Sequence, residues 1–179
     1  VGRVEDHGQL VVARQHAAHG FDAVHPRHAD VHHHQIGADV LHHLEGLAAV
    51  ARQESVFNAH ARSPRGAVGV MQLLPSTAAD HARALRIGVP PDLHDPALNV
   101  RLGARELARL VARFGALEPA VAAYNAGETR VRRWWSREPD RRRFFEIIPI
   151  PETYTYVRRV AYLSEAYRLT YDPLWRTRR

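Results

Sequence analysis

The sequence contains no cysteine, no lysine and a single methionine among its 179 residues. Without cysteine there is no disulfide scaffold, no thiolate metal site and no Cys nucleophile, while the compartment stays open. The missing lysine makes all 25 basic residues arginine, which reads as codon bias of a GC-rich genome before it reads as chemistry. No apolar run approaches the roughly 18–20 residues that a membrane-spanning helix needs. There is also no Walker loop, dinucleotide glycine fingerprint, GxSxG elbow or HExxH pair, so several common chemistries lack their signatures. What is present is ordinary for a soluble globular domain: 45% hydrophobic and 25% charged residues, in a chain long enough for one domain with a core.

The net charge of +6 conceals a division. Residues 1–46 hold 3 Arg against 6 acidic residues, a net of −3, together with 10 of the 13 histidines. Residues 47–179 hold 22 Arg against 13 acidic residues, a net of +9. The basic part is suited to a polyanion, either nucleic acid or an acidic envelope polymer. The first 46 residues have weak periodicity and few large apolar side chains. His32, His33, His34, His42 and His43 suggest a metal site, but consecutive histidines cannot all face one ion and no fixed-spacing ligand set accompanies them. The expectation is a disordered or partly helical leader, or an extension that is not native to the domain. The valine at position 1 and the lack of an export signal read as marks of a fragment or misassigned start.

Beyond the leader the pattern is helical. Val40, Leu44, Leu47 and Ala51 are spaced 4, 3 and 4, and Glu54 continues their face. A carboxylate closing an apolar stripe either points to the core, where desolvation raises its pKa, or leans out to solvent from the helix end. SPRGAVG at 63–69 is turn-rich. Pro75-Ser76 opens a helix to about Arg86, and Asp95-Pro96 is a helix start with an acceptor at the cap and proline at the first position. The helix that follows places Val100, Gly103, Leu107, Leu110 and Phe114 on one face and ends at Gly115. Arg101, Arg105, Arg109 and Arg113 form a ridge on another, read as a solvated face. Further helices are expected over Pro119–Ala123 and Thr129–Arg137. Trp134 and Trp135 are read as packing residues. IPIPET at 148–153 is read as a proline-bounded turn. A last long helix carries Tyr156, Val160, Leu163, Tyr167 and Thr170 inward. No useful period-2 pattern appears, so the fold class is all-α, with six or seven helices and at most a small hairpin.

Polar residues stand in unusual places. Glu54 and Ser55 end an apolar helix, and Ser63 sits in a Pro/Gly turn. Gln72 is embedded in GVMQLLP, Tyr124 and Asn125 precede Gly127, and Glu152 lies between Pro151 and Thr153. Unpaired buried polar groups cost about 1–3 kcal/mol each, so several in one small domain point to a mutual network or a site.

ARQES at 51–55, SPRGAVGVMQLLPSTA at 63–78, AAYNAG at 122–127 and IPIPETYTYV at 148–157 follow in this order. Together they resemble the lytic transglycosylase domain of the soluble-lytic-transglycosylase type, a lysozyme-like helical fold that cleaves peptidoglycan. The resemblance runs from about Leu47 to Tyr171 and sets a domain at 47–175 behind the leader at 1–46. It implies Glu54 as the catalytic acid/base and Ser63 as a residue orienting the glutamate or substrate. Gln72 and Tyr124 are implied to line the groove, Asn125 to bind substrate beside them, and Glu152 to stand near the site without being a nucleophile. Leu74 stands where family members often carry Met, and Tyr154 where they often carry Arg, so altered groove contacts are expected.

The resemblance also implies a one-carboxylate mechanism that yields a 1,6-anhydromuramoyl end, with no cofactor and no metal. The implied partner is peptidoglycan glycan strands, not nucleic acid. The implied setting is the periplasm or envelope, for a monomer peripheral to the membrane at most. Plainer roles remain open at this stage. Ser63 serves equally as a turn-maker, Gln72 as an amide bracing its loop, Tyr124 as core, and Glu152 as a helix N-terminal charge. The competing functions are a lysozyme-type hydrolase using Glu54 with water, a non-catalytic glycan-binding module, and nucleic-acid binding by the arginine surface. Product mass separates the first. Affinity without turnover would mark the second, and steep salt dependence the third.

Overall fold

The computed structural model describes residues 44–176, with side chains through residue 170. The histidine-rich segment expected to be a leader lies outside these residues, apart from its last three. Six α-helices follow: α1 Leu44–Ser55, α2 Pro75–Ala84, α3 Pro96–Phe114, α4 Leu117–Ala126, α5 Glu128–Trp135 and α6 Pro151–Arg176, with a 3-10 turn at Phe144–Ile147 before α6. The described residues form no regular strand, only isolated bridges Arg62–Val68 and Val68–Leu73 in the α1–α2 loop. The all-α class expected from the sequence is what the described residues adopt. None of the helices is long and apolar enough to cross a membrane.

Local chemistry explains the helix ends. Asp95 caps α3, its Oδ1 accepting from the N–H groups of Ala97 at 2.9 Å and Leu98 at 3.2 Å, with Pro96 following. Such a cap contributes about 1 kcal/mol. Gly115 closes the same helix, its N–H on the Val111 carbonyl at 2.8 Å. α4 begins at Leu117, two residues before the expected Pro119, because Pro119 occupies an early position whose missing N–H costs the helix nothing. The IPIPET segment is likewise only half turn. Pro151 opens α6, so Glu152 and Thr153 are helical.

Helix α1 packs along α6, and α4 packs against α3, α5 and α6. Small side chains permit this closeness: Ala49 and Ala51 on α1, and Ala120, Ala122 and Ala123 on α4, are all buried. Larger groups fill the remaining space, among them Val50, Leu102, Leu110, Val131, Phe144, Val157 and Val160. On α3 the buried stripe is Asn99, Leu102, Gly103, Leu107, Leu110 and Phe114, and Val100 is only half-buried. On α6, Tyr156 and Val160 are buried as expected, but Thr170 is exposed and its hydroxyl turns back to the Ala166 carbonyl. The tryptophans pack: Trp134 is buried, and Trp135 meets Phe144 edge-on at 5.4 Å.

The arginine ridge of α3 faces outward but is not simply solvated. Arg109 bonds both Glu106 oxygens and reaches Glu128 at 2.7 Å, and Arg113 lies 3.4 Å from Glu128. Glu106 also accepts from Nε2 of buried His81 at 2.8 Å, which joins α2 to α3.

Candidate active site

Glu54 stands in the last turn of α1. Immediately after that helix Val56 and Phe57 both take left-handed backbone conformations, φ 55° and 62°, which turn the chain away and leave the helix end uncovered. The carboxyl group is held from the other side of the domain. Tyr156 of α6, itself buried, donates its hydroxyl to Glu54 Oε1 at 2.6 Å. Burial pushes the Glu54 pKa up to about 7, and the Tyr156 hydrogen bond opposes part of the rise. Desolvation wins because it disfavours the charged form more than one phenol restores it. No second carboxylate contributes to this shift among the described residues. The phenols of Tyr124 and Tyr156 are both pushed well above the ordinary tyrosine range, first by burial and then by the Glu54 charge, so both remain donors.

The loop between α1 and α2 follows Glu54 directly in the chain. Its backbone folds on itself through Gly69 N–H to the Ala61 carbonyl and the reciprocal Val68–Leu73 bonds. Side chains then anchor it to the helices. Ser55 donates to the Val70 carbonyl at 2.7 Å. The Met71 peptide is fixed at both ends: Asn99 Oδ1 accepts from its N–H at 2.7 Å, and Tyr124 donates to its carbonyl at 2.8 Å. Asn99 Nδ2 donates to the carbonyls of Val68 and Leu93, each at 3.0 Å. Two glycines make room for this clamp. Gly69, at φ +83°, lies so close to Asn99 and the Leu93 carbonyl that a Cβ there would overlap both. A Cβ on Gly103 would sit 2.6 Å from the Met71 side chain. The loop can approach α3 only because these two side chains are missing.

A cleft of about 380 Å³ opens beside the Glu54–Tyr156 pair, lined by Gln53, Asn125, Pro151, Glu152, Thr155, Tyr156 and Arg159. Asn125 is oriented by Thr153, whose hydroxyl donates to Asn125 Oδ1 at 2.8 Å, which leaves its amide N–H groups for a ligand. Glu152 is exposed at the first turn of α6. Of the residues singled out in the sequence, Asn125 and Glu152 therefore share this cleft with the phenol that holds Glu54, and Tyr124 stands within reach of the Glu54 charge. Ser63 and Gln72 lie in the loop instead. The Ser63 hydroxyl accepts from the Ala67 N–H at 3.0 Å within its own turn. Gln72, itself left-handed at φ 46°, donates from Nε2 to the carbonyls of Gly69 at 2.9 Å and Ala61 at 3.1 Å. No group of three metal-ligating side chains gathers among the described residues.

The sequence reading missed two residues of this assembly. Tyr156 was assigned only to the inward face of the last helix, which is correct for its ring but says nothing of its hydroxyl. Asn99 was not singled out at all. Its signal was available: an amide in an otherwise apolar stripe, three residues before Leu102, must find buried partners.

A family model described as the transglycosylase SLT domain matches residues 38–145. The chain belongs to this family. It is similar to the soluble lytic murein transglycosylase of Escherichia coli strain K12, 39% identical over 127 residues, covering 67% of this chain and 20% of that protein. It is also similar to the membrane-bound lytic murein transglycosylase F of Pseudoalteromonas translucida, 39% identical over 88 residues, covering 45% of this chain and 17% of that protein. Among solved structures, an inactive mutant of lytic transglycosylase Slt from Pseudomonas aeruginosa aligns with a TM-score of 0.65 at 36% identity, over 72% of this chain and 22% of that one. The 70 kDa soluble lytic transglycosylase of E. coli aligns with the same TM-score at 37% identity, over 70% of this chain and 22% of that one. The chain thus spans about a fifth of the length of the relatives it matches.

Proposed function

We propose that this SLT domain is a peptidoglycan lytic transglycosylase. It cleaves the β-1,4 bond between N-acetylmuramic acid and N-acetylglucosamine without water and leaves a 1,6-anhydromuramoyl end. The observation that carries this reading is a carboxyl group with a pKa of about 7, hydrogen-bonded to a phenol that lines a cleft. Glycosidases of the ordinary retaining kind use two carboxylates about 5–5.5 Å apart. Here burial raises the Glu54 pKa and Tyr156 opposes it, with no carboxylate among the causes, which favours a reading in which one group acts twice. A pKa near the working pH suits that role, since acid and conjugate base are both accessible.

In the first step Glu54, protonated, gives its proton to the glycosidic oxygen as the bond to C1 breaks. The N-acetyl carbonyl of the muramoyl unit stabilises the developing cation, as in substrate-assisted glycosidases. Glu54, now a carboxylate, takes the proton of the muramoyl C6 hydroxyl as that oxygen bonds to C1. The proton balance closes on Glu54, and no water is consumed. Tyr156 supports the ionised stage by donating to Oε1. Asn125 offers amide donors to the glycan, and Gln72 offers Oε1, since its Nε2 is committed to the loop. Glu152 contacts substrate from the cleft rim. Tyr124 and Ser63 hold the loop that follows Glu54. The location of this substrate puts the domain at work in the periplasm or cell envelope.

Digestion of purified peptidoglycan with the protein and with Glu54→Gln, followed by mass spectrometry, tests the reading. Anhydromuropeptides from the unmodified protein alone support it. Ends heavier by one water would make it a lysozyme-type hydrolase, and binding without product would make it a glycan-binding module.

A further inference from the structure

His94 stands on a fixed segment of backbone. Its own N–H is taken by Asp92 Oδ1 at 2.9 Å, the Leu93 carbonyl before it accepts from Asn99, and Asp95 after it caps α3. From there the half-buried ring meets the α1–α2 loop twice. Nδ1 lies 3.2 Å from the Ala59 carbonyl, and Nε2 lies 2.8 Å from Nη2 of Arg62. These two neighbours leave one protonation state. A carbonyl cannot donate, so Nδ1 carries the proton, and a guanidinium cannot accept, so Nε2 keeps its lone pair. His94 is therefore held as the neutral Nδ1–H tautomer. Protonating Nε2 removes the acceptor and sets one cation against another.

The other charged and titratable groups around the ring do not relieve that clash. From the loop, exposed His60 stacks on His94 with ring centres 5.6 Å apart. From the segment of His94 itself, Asp92 and Asp95 each give Oδ1 to backbone N–H groups. No carboxylate forms an ion pair with Arg62 or His94 among the described residues. What lies between the two tethered residues, Ala59 and Arg62, gives the clamp its meaning. The Ala61 carbonyl accepts from the Gly69 N–H at 2.9 Å and from Gln72 Nε2 at 3.1 Å. Gln72, left-handed at φ 46°, belongs to no regular element, so such bonds place its amide.

This inference rests on the reading above in which Gln72 offers Oε1 to glycan. We propose that His94 is a positioning residue. In its neutral form it holds residues 59–62 so that Gln72 presents that oxygen, and protonation releases the segment. Histidine is the side chain that ordinarily changes charge between pH 5 and 8. Acid should thus weaken glycan binding without disturbing the proton transfers of Glu54. Glu54 alone leaves kcat/KM level at low pH, and His94 adds a fall there that is carried by KM.

The test measures kcat and KM on soluble glycan strands between pH 5 and 8, together with NMR of the His94 and Gln72 side chains. As pH falls, KM should rise about three- to tenfold, the scale of one partly exposed hydrogen bond, while kcat does not fall. His94→Leu should show the raised KM at every pH, with the pH dependence gone. Arg62→Met, which removes the opposing cation with the bond, should also flatten the KM profile, and Arg62→Lys should restore it. His60→Gln should keep the full profile, which separates the two stacked histidines. By NMR, His94 should be the Nδ1–H tautomer at pH 8, and the Gln72 side-chain amide should shift with the same midpoint as the His94 ring. An Nε2–H tautomer, a Gln72 amide that ignores the His94 titration, or an acid rise in KM that survives His94→Leu overturns the proposal. A protein that cleaves nothing overturns the transglycosylase reading, while the tautomer and the Gln72 shift still decide His94.

Discussion

Tyr156 and Glu54 lie 102 residues apart in the chain and 2.6 Å apart in the fold, hydroxyl to carboxyl. The extensive packing of α1 along α6 makes that pairing possible, and it decides how acidic Glu54 is. Because the phenol stabilises the ionised carboxylate, removing it raises the Glu54 pKa further. In the proposed mechanism the reaction begins with the protonated acid, so for Glu54 alone kcat/KM should be level at low pH and fall as pH rises through about 7. In Tyr156→Phe that fall should move to higher pH. The rate on the acid side should drop by roughly ten- to a hundredfold, because a hydrogen bond to a charged group contributes about 1.5–3 kcal/mol at the stage where Glu54 is ionised. The buried ring is preserved, so the protein should remain folded. An unchanged pH–rate profile in the folded variant would remove Tyr156 from the mechanism.

The same burial that makes Glu54 useful destabilises the domain. Its folded-state pKa of about 7 lies above the unfolded value of 4.5, so the folded state holds the proton more tightly between those limits. Stability therefore falls as pH rises from about 4.5 to 7, by about 2–3 kcal/mol for a shift of this size in a group that is partly solvent-exposed. Glu54→Gln removes the titration. Thermal melts should show the variant more stable than the unmodified protein at pH 8, with the difference shrinking towards pH 4. Parallel melting curves at both pH values would show that Glu54 is not desolvated in the folded protein.

How much of this was legible in the sequence depended on how far apart the partners lie. Glu54 could be read from a stripe of spacing 4, 3 and 4 that ended in a carboxylate. The Asp95-Pro96 start and the Gly115 stop of α3 could be read because capping is local. Pairings across the fold could not. Tyr156 presents an apolar ring to the periodicity and a hydroxyl to a residue on another helix, and only the ring leaves a trace in spacing. The α1–α2 loop illustrates the same limit. Ser63 and Gln72 stand out as polar residues, but which backbone groups they bond depends on a loop with left-handed turns at Val56, Phe57 and Gln72, all non-glycine positions where no local rule announces such a conformation. The start of α4 at Leu117 was missed for a smaller reason. Proline was taken for the first helical residue when it occupied the third.

Asn99 ties the α1–α2 loop to the helical core, and its loss should be felt first in the loop. The side chain is fully buried and makes three hydrogen bonds, to Met71 N–H and to the carbonyls of Val68 and Leu93. Asn99→Leu retains the volume but leaves the Met71 N–H and the Leu93 carbonyl buried without partners, while the Val68 carbonyl keeps the Leu73 N–H. Each such group costs about 1–3 kcal/mol, and because loop relaxation will recover part of it the net loss should be roughly 2–4 kcal/mol. That is a large share of the stability of a small domain. Asn99→Asp keeps the acceptor for Met71 and sets an oxygen against the two carbonyls, so it should fall between the two. Amide exchange at Met71 distinguishes a loosened loop from general unfolding. It should accelerate in both variants at temperatures where the buried amides of α3 and α6 still exchange slowly, with activity lost in parallel. Protection at Met71 that falls only together with protection at Leu102 and Val157 would mean that Asn99 stabilises the whole core, with no special hold on the loop.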